Sequence, residues 1–481
     1  MDRTAFPPGF VWGTATASYQ IEGATAEGGR LPSIWDAFSR RPGAIADGST
    51  GDVADDHFHR FREDVALMAD LGLDAYRFSL AWPRIQPDGR GGVNRAGLDF
   101  YRRLVDALHE HGITPWATLY HWDLPQALED EGGWLERDTA SRFAEYAALA
   151  VDGLGDVVSH WITLNEPWCS AFLGYASGHH APGRQEGSRS ARAAHHLLLA
   201  HGLGLDEIRR RSPAATAGIT LNLYSVHAAS GSAEDADAAR RIDGLSNRLF
   251  LDPVLTGAYP EDVLDDLGET AWFADNVSGR DLAAISAPID FLGVNFYSRH
   301  TVAAGAPADH APTTDAAGFE ARQAAPSAYP GSESVAFVGT DAPRTQMGWE
   351  IHPDALVDVL EMAAERAPGL PLYITENGSA YEDVVASDGS VDDPERTEYL
   401  RLHVDACGEA IRRGLPLRGY FAWSLIDNFE WAWGYTRRFG IVHVDYETLQ
   451  RTPKQSGRWF ARFLGGPLGR PAESALASGR G

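Results

Sequence analysis

Two glutamates stand where chemistry would be expected. Glu166 follows the apolar run Trp161-Ile162-Thr163-Leu164 with only Asn165 between, and Glu376 follows Leu372-Tyr373-Ile374-Thr375. An ionised carboxylate at the end of a buried run is costly unless it is paired or used. Neutralisation by an arginine such as Arg77 would account for one such residue more easily than for two facing one cavity. A carboxylate pair suits glycoside hydrolysis, in which one group protonates the leaving oxygen and the other attacks the anomeric carbon. Their mutual repulsion separates the two pKa values, and a cation such as Arg77 would keep its neighbour ionised.

Other polar groups sit at comparable places, each at the end of an apolar run. They are Arg77 in Tyr76-Arg77-Phe78-Ser79, His121-Trp122-Asp123, Asn295-Phe296-Tyr297 and Trp423-Ser424, the last followed by Asp427-Asn428-Phe429-Glu430-Trp431. The chain carries 14 Trp. Trp122, Trp168, Trp349, Trp423, Trp431 and Trp433 fall near those ends or in the loops beyond them, while others read as core. Sugars present apolar C–H faces that stack on indole, and Asn, Gln, His and Glu bind their hydroxyls.

The elements that must position these groups are eight short apolar runs, rich in β-branched and aromatic residues. They are Phe10–Thr16, Asp74–Leu80, Thr114–Tyr120, Val158–Asn165, Ala215–Asn222, Ile289–Tyr297, Pro371–Glu376 and Leu417–Ser424. Runs of this kind read as strands buried on both faces. Amphipathic patterns alternate with them, over Asp55–Leu71, Arg95–His111, Asp138–Gly153, Arg189–Arg210, Asp235–Leu251, Pro353–Ala367 and Pro394–Arg413. The alternation predicts an α/β fold: a single (β/α)8 TIM barrel with long loops at its C-terminal face, where the strand ends converge into one site. Residues 1–465 form that barrel domain, residues 466–481 a disordered tail, and residues 301–345, rich in Ala, Pro, Gly and Ser, a long loop above the site.

Composition excludes other classes. With 41 Lys+Arg against 67 Asp+Glu the net charge is −26, which repels nucleic acid and anionic membranes. No stretch reaches the roughly 20 apolar residues of a membrane helix, and the N-terminus lacks a signal-peptide core. Cys169 and Cys407 make no disulfide framework, so a reducing cytoplasm is the expected compartment. The pair His57 and His59 reads as surface, because residues two apart on a helix diverge. His179-His180 and His195-His196 lack a carboxylate at ligand spacing. Phosphate-cradling and serine-nucleophile motifs are missing as well. No metal and no cofactor is expected.

Taken together, the motifs Phe10-Val11-Trp12-Gly13-Thr14-Ala15-Thr16-Ala17-Ser18-Tyr19-Gln20-Ile21-Glu22-Gly23, Tyr76-Arg77-Phe78-Ser79, Thr163-Leu164-Asn165-Glu166-Pro167, Ile374-Thr375-Glu376-Asn377-Gly378 and Trp423 to Trp431 resemble the glycoside hydrolase family 1 β-glucosidases. The resemblance runs from Phe6 to about Phe463. It implies that Glu166 is the acid/base and Glu376 the nucleophile of a retaining β-glycosidase. Gln20, His121, Asn165, Glu430 and Trp431 resemble the binders of sugar hydroxyls, with Trp122 beside them and Trp423 as the stacking platform. Asn295, Tyr297 and Arg77 match positions that support the nucleophile, and Trp349 matches the aromatic across the leaving-group subsite. Phospho-sugar members carry serine in place of Glu430 and add a lysine nearby, whereas this loop reads Tyr435-Thr436-Arg437-Arg438. The expected partner is therefore a small neutral sugar. A catalytically inactive glycan-binding relative and a transglycosylase of the same fold are the alternatives.

Overall fold

The structure is a computed structural model that describes residues 3–305 and 326–469. Eight parallel strands close into a barrel in chain order. They are β1 (Val11–Ala15), β2 (Ala75–Ser79), β3 (Thr114–Tyr120), β4 (His160–Asn165), β5 (Thr216–Asn222), β6 (Phe291–Asn295), β7 (Leu372–Asn377) and β8 (Leu417–Trp423). Each lies inside the run expected for it, apart from β7, which extends one residue further to Asn377. The ring closes where Ala15 sits opposite Trp423 on one side and Arg77 on the other. Helices cover the outside and pack through spacings of three and four. Arg95–Glu110, for example, buries Leu98, Tyr101, Leu104, Val105 and Leu108.

Below the strand ends the interior is filled by aromatic rings. Trp116 lies 5.3 Å from Phe291, 4.9 Å from Tyr373 and 5.2 Å from Phe421, measured between centroids. Room for this plug comes from Gly13, where a Cβ would sit 2.4 Å from the Phe421 ring. The plug makes the barrel a packed core with one usable end.

Four details differ from the sequence expectation. The helix expected over 235–251 runs as Ala233–Asp243, a π-turn Gly244–Arg248, and Leu249–Thr256. The expected long loop contains two strands, His300–Ala304 and Val335–Phe337, which join Val226–Ala228 in a small sheet; residues 306–325 lie outside the described residues. In the expected tail, Pro467–Gly469 forms a 3₁₀ turn and Gly466 N–H bonds back to Ala461 O at 2.9 Å; residues 470–481 lie outside the described residues. His57 is not a surface residue. It lies on the inner stripe of its helix with Phe61 and Asp64, and its Nδ1 is 2.8 Å from Asp64 Oδ2.

Lys454, the only lysine, is wholly buried between Asp383 and Asp427. Arg438 Nη1 holds the other oxygen of Asp427 at 2.7 Å. This cluster ties the C-terminal helix Gln455–Leu464 to the loop that follows β8 and carries Glu430. Among the described residues no helix is long and apolar enough to cross a membrane.

Candidate active site

A cavity of about 650 Å³ opens at the C-terminal strand ends and is lined by Glu166, Glu376 and Glu430. Glu166 follows β4 and Glu376 is the penultimate residue of β7, and the pairing of both strands shifts register close to them, between Ile162 and Asn165 and between Ile374 and Glu376. Such irregularities re-aim side chains at barrel rims. Gly378 completes the β7 turn, where a Cβ would fall 1.7 Å from Trp423 O. Three site residues, Trp122 (φ 77°), Glu166 (φ 45°) and Trp431 (φ 46°), hold the left-handed backbone conformation that side chains disfavour. Strain of this kind collects where the surroundings dictate the geometry.

The two carboxyl groups have different donors. Glu376 Oε1 accepts from Arg77 Nη1 at 2.6 Å, and its Oε2 accepts from the Tyr297 hydroxyl at 2.7 Å. Burial pushes its pKa up, and the Arg77 charge and these hydrogen bonds pull against that. Glu166 Oε1 accepts from Asn295 Nδ2 at 2.7 Å, and its Oε2 accepts from the Cys169 thiol at 3.1 Å. Burial, and then the charge of Glu376, push the Glu166 pKa up to about 8. Among the described residues no cation donates to Glu166. Of the pair, the group touching Arg77 is therefore the more readily ionised, and Glu166 is the one that more readily holds a proton.

Arg77, 1% exposed, organises the layer beneath. Its Nη2 donates to Asn165 Oδ1 at 2.6 Å, and Asn295 Nδ2 donates to the same oxygen at 3.0 Å. That fixes the Asn165 amide, so its Nδ2 donates to His121 Nε2 at 3.0 Å. His121 then carries its proton on Nδ1, and burial with the Arg77 charge keeps the ring neutral. Among the described residues Nδ1 has no hydrogen-bond partner and is buried, as is Gln20 Oε1. One is a donor and the other an acceptor, a combination suited to hydroxyl groups. Gln20 Nε2 donates to Asn428 Oδ1 and Phe429 O, both at 2.9 Å, and approaches Glu430 Oε2 at 3.4 Å. Burial and the charges of Glu376 and Glu166 raise the Glu430 pKa to about 8.

Indole rings build the walls. Trp431 packs 4.5 Å from Trp122 and 4.6 Å from Trp35, and Trp423 lies parallel to His121 at 5.9 Å. Trp349 stands 5.2 Å from Tyr297.

The sequence-derived residues therefore come together in two layers. Glu166, Glu376, His121, Trp122, Tyr297, Trp349, Trp423, Glu430 and Trp431 line the cavity. Gln20, Arg77, Asn165 and Asn295 lie behind it and act on it through the hydrogen bonds above; the amides of Asn165 and Asn295 are engaged with protein groups. Trp168 and Trp433 also line the cavity, as do Cys169, Leu173, His180, Tyr224, Met347 and Phe439, which the residue patterns did not single out. The signal for Cys169 was its spacing of three from Glu166. His180 was visible only as half of a doublet, and was weighed for a metal rather than for a wall.

Residues 2–465 match the sequence model of glycosyl hydrolase family 1. Over 469 residues the chain is 48% identical to the bifunctional β-D-glucosidase/β-D-fucosidase of Bifidobacterium breve, covering 95% of this chain and 98% of that protein. Its fold superposes on the crystal structure of the psychrophilic β-glucosidase BglU from Micrococcus antarcticus with TM-score 0.90 at 51% identity, covering 96% and 98% of the two chains. The family 1 β-glucosidase of Thermotoga maritima in complex with isofagomine lactam gives TM-score 0.87 at 45% identity, with 96% and 99% covered.

Proposed function

The chain belongs to glycosyl hydrolase family 1, and from that premise we propose that it is a retaining β-glycosidase releasing terminal β-D-glucosyl residues by double displacement. Glu376 is the nucleophile. Its carboxylate attacks the anomeric carbon, the bond to the leaving oxygen breaks, and Glu166 gives its proton to that oxygen. A glycosyl ester on Glu376 and an ionised Glu166 result. Glu166 then takes a proton from water, whose oxygen displaces Glu376 and restores both groups. Esterification removes the Glu376 charge, so the repulsion that raises the Glu166 pKa relaxes, and the acid becomes the base the second step needs.

The observation that carries this assignment is the unequal donor set: a guanidinium and a phenol on Glu376 against an amide and a thiol on Glu166. Incubation with an activated 2-deoxy-2-fluoro-β-glucoside, which slows the second step, is expected to leave one glycosyl adduct on the peptide containing Glu376. An adduct on Glu166, or none during a burst of leaving group, would overturn the assignment.

Among the described residues no arginine or lysine lines the cavity, so a phosphorylated sugar would find no cation to pair with there, which supports a neutral glycone. β-Fucosides, and β-galactosides through the same subsite, are further substrates of the proposal, the former in line with the bifunctional relative. Cello-oligosaccharides are the proposed natural substrates, since a similar enzyme of Thermotoga neapolitana is a 1,4-β-D-glucan glucohydrolase. The buried free thiols Cys169 and Cys407 support a cytoplasmic location.

A further inference from the structure

Cys169 occupies a place that the hydrolytic scheme leaves unexplained. It opens the π-helix Cys169–Ser177 three residues after Glu166, and its N–H bonds to Glu166 O at 3.0 Å. That turn brings the side chain at spacing three back over the carboxyl group. Its Sγ lies 3.1 Å from Glu166 Oε2, and both residues line the cavity. Asn295 Nδ2 donates to the other oxygen, so among the described residues the thiol is the only protein donor to Oε2. Burial and the Glu166 charge push the Cys169 thiol well above its ordinary range, so it stays protonated and is a donor rather than a nucleophile.

We propose that Cys169 is a positioning residue for Glu166, a deliberately weak hydrogen-bond donor that orients the acid/base carboxyl group while allowing it to change protonation state in every cycle. The inference rests on the acid/base reading of Glu166. A thiol is a poor donor and a poor acceptor. It stabilises the ionised carboxylate a little and gives way at little cost when the carboxyl group is protonated. The Arg77 and Tyr297 contacts of Glu376 show the contrast, since strong donors suit a group that must remain ionised. A hydroxyl in place of the thiol would favour the carboxylate more strongly and lower the fraction of Glu166 that holds the proton for the first step. A methyl group would remove the donor and lower the fraction that is ionised for the second step.

The test is the pH profile of kcat/KM for Cys169→Ser and Cys169→Ala, using an aryl β-glucoside with a poor leaving group. The basic limb reports loss of the Glu166 proton. Cys169→Ser is expected to move that limb to lower pH and Cys169→Ala to higher pH, by about half a unit each, the size of one modest hydrogen bond. Cys169→Ala is also expected to slow the second step, read as a lower kcat on substrates with good leaving groups. Shifts of the same sign, or an unmoved limb in both variants, would overturn the inference. Packing alone would change the melting temperature and the rate without moving the limb in opposite directions. Glu166→Ala separates the two claims. If it keeps the wild-type basic limb, the acid/base reading itself fails. If it loses that limb while the cysteine variants leave it in place, only the role of the thiol fails.

Discussion

Arg77 Nη1 donates to Glu376 Oε1 across 2.6 Å, and both side chains are almost wholly excluded from solvent, at 1% and 4% exposure. The contact joins the middle of β2 to the C-terminal end of β7 across the barrel interior. It gives one carboxylate of the site a partner that cannot lose its charge.

Replacing Arg77 with Met removes that partner and leaves the Glu376 charge buried. The Glu376 pKa then rises, so a higher pH is needed to ionise the attacking group. The acid limb of kcat/KM is expected to move up by about one to three units. The protein is also expected to lose about 3–5 kcal/mol of stability, as for other broken buried pairs. An acid limb unmoved in a folded variant would mean that Glu376 is not the group that must be ionised.

The second prediction concerns the coupling between the carboxyl groups. Burial is the larger cause of the raised Glu166 pKa, and the charge of Glu376 is the second. Glu376→Gln removes only the second. The Glu166 pKa is therefore expected to fall from about 8 by roughly one unit, yet stay above that of an exposed glutamate. A difference titration by carbon-13 NMR of labelled glutamate side chains reads it directly. In the wild type the sign runs the same way: kcat/KM falls as pH rises through that pKa, because the leaving oxygen loses its proton donor. An unchanged Glu166 pKa in Glu376→Gln would show that the charges do not interact.

Lys454 offers a stability test away from the chemistry. Lys454→Met leaves Asp383 and Asp427 buried without their shared cation. Denaturant unfolding is expected to show a loss of about 3–5 kcal/mol. Because Asp427 anchors the loop that carries Glu430, KM is expected to rise as well. A variant as stable as the wild type would show that Arg438 on Asp427 and Arg396, whose Nη1 lies 2.9 Å from Asp383 Oδ1, hold the cluster without the lysine.

Much of this was legible in the chain. Strands buried on both faces leave continuous apolar runs, so their polar ends, Arg77, Asn165-Glu166, Asn295 and Glu376, stood out as a set. Motif resemblance supplied Gln20, which no periodicity marks, and the leaving-group role of Trp349, which the residue pattern had placed only near the strand ends and loops. Less legible were features set by packing. His57 looked exposed because its pairing partner, Asp64, is two turns along the helix. The strands His300–Ala304 and Val335–Phe337 were hidden by the Ala, Pro and Gly of the segment between them. His180 and Tyr224 reach the cavity from loops that spacing rules do not describe, while Cys169 was marked only by its spacing of three from Glu166.

The division of labour between the two glutamates is tested most directly by the anomeric form of the azide products made by two variants. In Glu376→Gly, azide replaces the missing nucleophile on the face opposite the leaving group, and the account predicts an α-glycosyl azide. In Glu166→Ala the ester on Glu376 still forms, and azide displaces it to give the β-glycosyl azide. Proton NMR coupling at the anomeric carbon distinguishes the two. The same anomer from both variants, or the two outcomes exchanged, would contradict the account.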